Sequence, residues 1–208
     1  MDKGGGEEQY ITTAKKVDDA EGVLSKKKKK WFVAIVNNRS EKKCAQALSN
    51  MGYEVFVPIQ TEDRVWKNGT IKTVECVLIA TMVFVFCTEE QRKTDIVKYP
   101  LIKHFMVDNT QIDKAGKHPM ANIPEKQMNI FRKMLEKADE PITIESVPLY
   151  VGDEVKVIKG KLNGIEGRIL EQRNGETFLI VEIELLGCAK LKISLGDVEK
   201  IDKYIQPV

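Results

Sequence analysis

The pattern of helices, strands and glycines changes near Tyr150, and this change divides the chain into two parts. Upstream, strand-like apolar runs alternate with helical patterns. Downstream, short β-rich runs follow one another, separated by glycines or by Asn-Gly. Several short strands at close spacing within about sixty residues are typical of a small barrel, and helices mixed with hairpin-joined strands are typical of an α+β domain. The sequence therefore predicts an α+β domain followed by a five-stranded all-β barrel of the SH3-like kind.

Four segments follow from this division. Residues 1–30 carry three consecutive glycines and the run Lys26–Lys30, so they are predicted to be a disordered tail. Residues 31–138 form the α+β domain, with the order β-α-β-β-β-α-β-α and a ferredoxin-like arrangement of helices on an antiparallel sheet. Residues 139–148 are predicted to be a linker, and residues 149–208 the barrel. The lysine run is either a solvated segment or an arm that contacts phosphates.

Local signals mark the elements of the first domain. Trp31–Val36 is apolar at both its odd and its even positions, which predicts a strand covered on both faces. A helix is expected between a Ser40 cap and a Gly52 stop. The turn Lys67–Gly69 contains Asn-Gly between two β-rich runs, the strongest short signal for a hairpin. Val77–Phe86 is predicted to be one long buried strand.

The distribution of charges and the positions of the cysteines narrow the range of functions that this chain could have. The net charge is +2, and residues 1–30, 31–122 and 123–208 carry +2, +2 and −2. Because the folded parts show no concentrated basic face, a protein partner is favoured over a naked duplex, and contact with DNA or RNA is expected to be secondary. The four scattered cysteines and two histidines offer no metal site of regular spacing, so no metal or cofactor is expected.

Features of enzymes and of membrane or exported proteins are also missing from the sequence. His104 and His118 have no recognisable catalytic partners, and neither a phosphate loop nor a Gly-x-Ser-x-Gly elbow occurs. The longest apolar run is too short to cross a bilayer, which takes about 20 residues. The N-terminus lacks the apolar stretch of a signal peptide. These observations predict a cytoplasmic protein that is not an enzyme and does not contact a membrane.

Residues Gly152–Gly167 read GDEVKVIKGKLNGIEG. This pattern of Gly-Asp, alternating valines and spaced glycines resembles the KOW motif. Its candidate loop and partner-contact residues are Gly160, Leu162, Gly164 and Gly167. The first glycines allow a sharp turn at positive φ, and the last permits a bend where the barrel closes. SH3-like barrels of other functions also place glycines in this way, and Leu162 is either an exposed contact residue or part of the barrel core.

The first domain resembles the N-terminal domain of NusG-type transcription factors. The similarity rests on Lys30–Val33, on the Ser40-capped helix that follows, on Val55–Pro58, and on the order of elements up to the KOW barrel. It implies a monomeric elongation or antitermination factor whose first domain binds the clamp of RNA polymerase through an exposed apolar patch. Such a factor would suppress pausing or termination.

Carried over by position, the polymerase-contact residues are Trp31, Ile79 and Met82. The family usually has Phe-Pro-Gly-Tyr before its long strand, whereas Ile79 and Met82 stand in the places of the aromatic residues. This departure implies a specialised RfaH/UpxY-like paralogue that acts on particular operons, such as those for capsular polysaccharide. Trp31 could equally be part of the core.

The resemblance also suggests secondary contacts and leaves alternatives. Arg39, Lys42 and Lys43 could contact the DNA backbone, or they could be solvated charges on a helix. The barrel is implied to contact a small ribosomal subunit protein or the termination factor Rho. The alternatives are a general NusG-type elongation factor that couples polymerase to the ribosome or Rho, and a ribosome-associated RNA-binding KOW protein.

Overall fold

The computed structural model describes residues 28–146 and 152–201. Between residues 28 and 137, it shows two antiparallel sheets and three α-helices. Its elements in chain order are β1 (Lys30–Val36), α1 (Glu41–Asn50), β2 (Glu54–Phe56), β3 (Ile59–Val65), β4 (Ile71–Val77), β5 (Met82–Cys87), α2 (Glu89–Thr94), a 3₁₀ turn (Ile96–Lys98), β6 (Ile102–Phe105), β7 (Asn122–Ile123) and α3 (Glu125–Lys137).

The main sheet has the order β2-β5-β1-β6, and β7 also pairs with β1. Both faces of β1 are covered, as its continuous apolar sequence predicts. Phe32, Ala34 and Val36 join a buried cluster with Cys44 and Leu48 of α1. The other residues of β1, Trp31 and Val33, join a second cluster on the opposite face. This cluster also contains Phe84 of β5 and three residues of α3, Met128, Phe131 and Met134.

The hairpin predicted at Lys67–Gly69 is confirmed. β3 and β4 pair antiparallel from Ile59 opposite Val77 to Val65 opposite Ile71, and they form a two-stranded sheet of their own. Gly69 has a φ of 79°, the left-handed conformation that makes glycine favourable there.

The prediction of one long strand over Val77–Phe86 is wrong. β4 ends at Val77 and β5 begins at Met82, because the chain must leave the hairpin and enter the main sheet. The turn between them places Thr81 at a φ of 64°. Two hydrogen bonds hold Thr81: its carbonyl accepts from the amide of Val36 at 2.8 Å, and its amide donates to the carboxylate of buried Glu41 at 2.7 Å.

The described residues of the C-terminal part, 143–146 and 152–201, form a six-stranded antiparallel sheet with the order β13-β9-β10-β11-β12-β8. Closure of this sheet into a barrel remains a prediction. Its strands are β8 (Thr143–Glu145), β9 (Glu154–Val157), β10 (Glu166–Glu171), β11 (Thr177–Ile183), β12 (Gly187–Lys192) and, after a 3₁₀ turn (Leu195–Asp197), β13 (Val198–Lys200).

The segment 139–148, expected to be only a linker, supplies β8 to this second sheet. Ile144 lies opposite Ala189 of β12, and the neighbouring Ile142 is 1% exposed. Burial of these apolar side chains stabilises the segment as a strand rather than a free connection. The predicted N-terminal tail lies outside the described residues except for Lys28–Lys30.

Helix α3 lies between the two parts of the chain and contacts both. Its apolar residues pack on β1, and it also contacts β11. The amide of Glu184 donates to Oε1 of Gln127 at 2.8 Å, and Nζ of Lys133 donates to the carbonyl of Asn163 at 2.6 Å. The two parts therefore share one continuous hydrophobic cluster around α3. No helix in the described ranges is long and apolar enough to span a membrane.

Candidate functional site

Trp31 is 2% exposed, so the burial favours the core alternative over the contact-patch alternative that the sequence left open. Its ring centroid lies 5.2 Å from that of Phe86 on the neighbouring strand. The guanidinium of Arg132 on α3 lies 5.6 Å from the indole and also bonds the carboxylate of Glu54 at 2.6 Å. Trp31 is buried because α3 covers this face of the sheet, and its direct role is therefore in packing.

Ile79 and Met82 are half-buried and pack against the same cluster as Trp31. Met82 lies directly opposite Ile35, and Ile79 lies in the turn before β5. We call the half-buried residues Ile35, Leu78, Ile79 and Met82 the apolar edge. Because Trp31 and Ile35 are four residues apart on one strand, Trp31 lies about 13 Å from the apolar edge along β1. Met82 therefore contacts the β1 strand at Ile35 and not at Trp31.

The three candidate DNA-contact residues differ in their surroundings. Nζ of Lys42 bonds the exposed carboxylate of Glu75 at 2.5 Å, and this hydrogen bond lowers the pKa of Glu75 below its usual value. Arg39, at a φ of 62°, and Lys43 are exposed at the start of α1. Sequence reasoning missed the Glu75 partner, because it comes from the hairpin and lies 33 residues away. The Glu75 carboxylate therefore offsets part of the Lys42 charge that a phosphate would meet.

The candidate residues of the KOW-like segment fall into two structural groups. Gly160 and Gly164 have φ of 71° and 86° in the loop between β9 and β10, as expected for a sharp turn. Gly167 lies inside β10, where a Cβ atom would lie 2.6 Å from the carbonyl oxygen of Ile180. It therefore allows a close approach of two strands. Leu162 is half-buried against the shared cluster.

The loop that carries Leu162 is held against the end of α3. In addition to the bond between Lys133 and the Asn163 carbonyl, Nζ of Lys161 bonds the carboxylate of Asp139 at 2.5 Å. Both pairs are exposed, and such pairs contribute about 0–1 kcal/mol each. The loop position therefore depends more on the apolar contact of Leu162 than on these charges.

The cysteines differ in expected reactivity, and we predict that Cys76 reacts first with a disulfide reagent at pH 8. Burial raises the pKa of Cys44 to about 11 and that of Cys87 to about 12, so both remain protonated thiols, and Cys188 is also buried. Cys76 is only half-buried, and Arg64 lies 3.1 Å from its sulfur. Timed thiol titration of the native chain should show one fast thiol that Cys76→Ser removes. A fast phase retained in Cys76→Ser would contradict this.

No group of three or more His, Cys, Asp or Glu within the described ranges is placed to hold a metal ion. The polar groups near the apolar edge are the buried Glu41, which holds the turn at Thr81, and the Lys42–Glu75 pair. This arrangement offers an apolar contact surface with charges beside it.

Comparison with known proteins identifies the N-terminal part. The family model described as "NusG: Transcription termination factor nusG" matches residues 29–132, which is half of the chain. A structure titled "Domain interaction in Thermotoga maritima NusG" is 20% identical, with 84% of this chain and 98% of that chain covered and a TM-score of 0.46. One titled "Crystal Structure of MjSpt4:Spt5 complex conformation B" is 12% identical, with 83% and 97% covered and a TM-score of 0.27.

Comparison with curated proteins found no match. The family model covers β1 through the first two turns of α3, and thus contains Trp31, the apolar edge and the start of α1. Members of this family are transcription factors rather than enzymes. On the family-model match, the chain belongs to the NusG family.

Proposed function

We propose that this protein is a transcription elongation factor that binds RNA polymerase through its N-terminal part and suppresses pausing or termination. The observation that carries the proposal is the NusG family match over residues 29–132. That segment contains the main sheet and the apolar edge. No bond is made or broken in such an activity, since a factor can act by binding one conformation of its partner more tightly than another.

The proposed contact surface is the apolar edge, and the proposed partner element is the helical hairpin of the polymerase clamp. Ile79 and Met82 retain accessible apolar surface while their inner atoms pack on the core. Full burial of an apolar side chain contributes roughly 1.5–3 kcal/mol, so a half-buried one contributes a part of this when a partner covers it. Trp31 belongs to the same buried cluster but lies away from this surface, so the proposal does not need it to touch the polymerase.

Ile79→Lys and Met82→Lys are expected to weaken binding to purified RNA polymerase at least tenfold. A lysine at either position places an ammonium group where the proposed contact is apolar, and an unpaired charge there must be desolvated. Affinity would be measured by interferometry with immobilised polymerase, and thermal unfolding would be followed by circular dichroism. Ile112→Lys is the matched control, since Ile112 is 68% exposed and belongs to neither buried cluster.

Ile112→Lys is expected to bind like the unmodified chain. If both edge variants stayed folded and bound polymerase with unchanged affinity, the proposed contact surface would be rejected. If Ile112→Lys were equally weakened, the contact would lie elsewhere on the N-terminal part.

We further propose that the protein is a specialised antitermination factor for particular operons, of the capsular polysaccharide type, rather than a general NusG. The support is the sequence at the apolar edge, where Ile79 and Met82 replace the aromatic residues usual in the family. Occupancy mapped across the genome distinguishes the two: a specialised factor is expected at few transcription units, and a general factor at nearly all of them.

For the C-terminal part, we propose a KOW barrel that docks a protein, either a small ribosomal subunit protein or Rho. The support is the antiparallel β-sheet with Gly160, Gly164 and Gly167 at the positions of the motif. Leu162, the proposed contact residue, packs on the cluster around α3. Docking through Leu162 would therefore require the 158–165 loop to leave α3.

A further inference from the structure

The turn that joins β4 to β5 carries two residues of the apolar edge, Leu78 and Ile79, and ends at a residue with an unusual backbone. Thr81 has a φ of 64°. A left-handed backbone is uncommon for any residue other than glycine and least favourable for a β-branched one, because the Cβ atom crowds the carbonyl oxygen that follows. The turn therefore needs an interaction that holds Thr81 in this conformation.

Glu41, the first residue of α1, supplies that interaction. Its Oε1 accepts a hydrogen bond from the Thr81 amide at 2.7 Å, and Glu41 is only 4% exposed. A hydrogen bond to a carboxylate is stronger than one between neutral groups, and exclusion of water strengthens it further. The two residues are 40 positions apart in the sequence, so this bond ties the turn to a helix that belongs to another part of the domain.

Two backbone hydrogen bonds anchor the ends of the same turn. On the side of the hairpin, the Leu78 amide donates to the Pro58 carbonyl at 2.8 Å. On the side of the main sheet, the Thr81 carbonyl accepts from the last residue of β1 at 2.8 Å. Ile79 lies between these anchors, whereas Met82 is paired with β1. A change of φ at Thr81 would therefore move Ile79 relative to Met82.

We propose that Glu41 is a positioning residue for polymerase binding, which holds Ile79 beside Met82 before the partner arrives and does not itself touch the partner. This inference rests on the proposed polymerase contact of the apolar edge. A protein whose binding-competent conformation is only partly populated binds more weakly, in proportion to that population. Loss of the Glu41 hydrogen bond should lower affinity in this way, by reducing the fraction of molecules that hold the turn in place.

The test measures binding of the full chain to immobilised RNA polymerase by interferometry. Glu41→Ala removes the acceptor and is expected to weaken binding roughly 10-fold, the lower end of the range for one hydrogen bond to a charged group. Glu41→Gln is the matched control, because it loses the same charge but keeps an oxygen that can accept from the Thr81 amide. Its affinity should recover most of the loss seen in Glu41→Ala.

A second substitution restores the turn without the hydrogen bond. Glycine adopts a positive φ readily, so Thr81→Gly added to Glu41→Ala should recover affinity although the carboxylate is still missing. Rate constants separate positioning from contact. The loss in Glu41→Ala should lie in the association rate constant, since fewer molecules are competent at any moment. Ile79→Lys changes the contact itself and should mainly raise the dissociation rate constant.

Hydrogen exchange of the amide at position 81, followed by NMR in the free chain, gives a readout that does not involve polymerase. Exchange should be faster in Glu41→Ala than in Glu41→Gln, because only the glutamine can still accept from this amide. Equal exchange in the two variants would show that the hydrogen bond does not hold the turn, and the positioning role would be lost.

The positioning role is also overturned if folded Glu41→Ala binds as well as the unmodified chain, if Glu41→Gln is as weak as Glu41→Ala, or if Thr81→Gly restores nothing. If Glu41→Ala alone does not fold, the double variant decides, and its failure to fold or to bind contradicts the proposal. Unchanged affinity of Ile79→Lys would instead refute the polymerase contact at the apolar edge, so the two failures give different patterns.

Discussion

Gly167→Val is expected to destabilise the C-terminal sheet by about 3 kcal/mol, the upper end of the usual range for overpacking, because the new side chain overlaps fixed atoms. A Cβ atom at this position would lie 2.6 Å from the Ile180 carbonyl oxygen and 2.9 Å from a methyl group of Leu179. β10 pairs with both β9 and β11, so neither neighbour can move without breaking a second ladder. Urea unfolding followed by circular dichroism measures the loss.

Gly160→Ala is the matched control within the same motif. Nothing lies within 4 Å of a Cβ atom built at Gly160, so only its φ of 71° opposes the substitution. The left-handed conformation costs a non-glycine residue roughly 1–2 kcal/mol. Equal losses for Gly160→Ala and Gly167→Val would contradict the view that Gly167 is needed for close strand approach rather than for a turn.

Trp31→Ala is expected to cost about 3–5 kcal/mol of stability, the usual range for a large aromatic removed from a core. The indole is buried between Phe86 and α3, and its loss would remove one of the two rings on which the Arg132 guanidinium packs, the other being Phe56. The free energy of unfolding should fall, because Trp31 belongs to the cluster that both parts share. Chemical unfolding with far-ultraviolet circular dichroism measures this.

Trp66→Ala serves as the control for Trp31→Ala, since the chain has two tryptophans and Trp66 is exposed. Its cost should be within about 0.5 kcal/mol, as for most surface substitutions. A Trp31→Ala variant with unchanged stability but lost polymerase binding would contradict the assignment of Trp31 to the core. Such a result would indicate that Trp31 contacts the polymerase directly.

Several elements could be predicted because their signals are local. Trp31–Val36 is apolar at both its odd and its even positions, and buried residues cover both faces of this strand. The Asn-Gly turn in Lys67–Gly69 set the hairpin, since positive φ at Gly69 is a property of a single residue. Pro124 immediately precedes α3. A proline is favourable at the start of a helix, because its φ is already fixed and the amide it lacks would have no partner within the helix.

Other features depend on residues far apart in sequence and could not be predicted from one chain. The apolar run 76–87 gives no sign that Thr81 takes a left-handed φ, because the turn depends on Glu41 and Val36. Trp31 is covered by Arg132, about a hundred residues later, so its burial cannot be read from its neighbours. The strand at Thr143–Glu145 pairs with β12, whose residues lie more than 40 positions later in the sequence.

The most direct test of polymerase binding by the N-terminal part is site-specific photocrosslinking in a transcription elongation complex. A photoreactive phenylalanine analogue would be placed at Ile79 and, as a control, at Ile112. Our account predicts a crosslink from position 79 to a polymerase subunit and none from position 112. Crosslinks that form only from position 112, or no crosslink from position 79 in a complex that retains the factor, would contradict it.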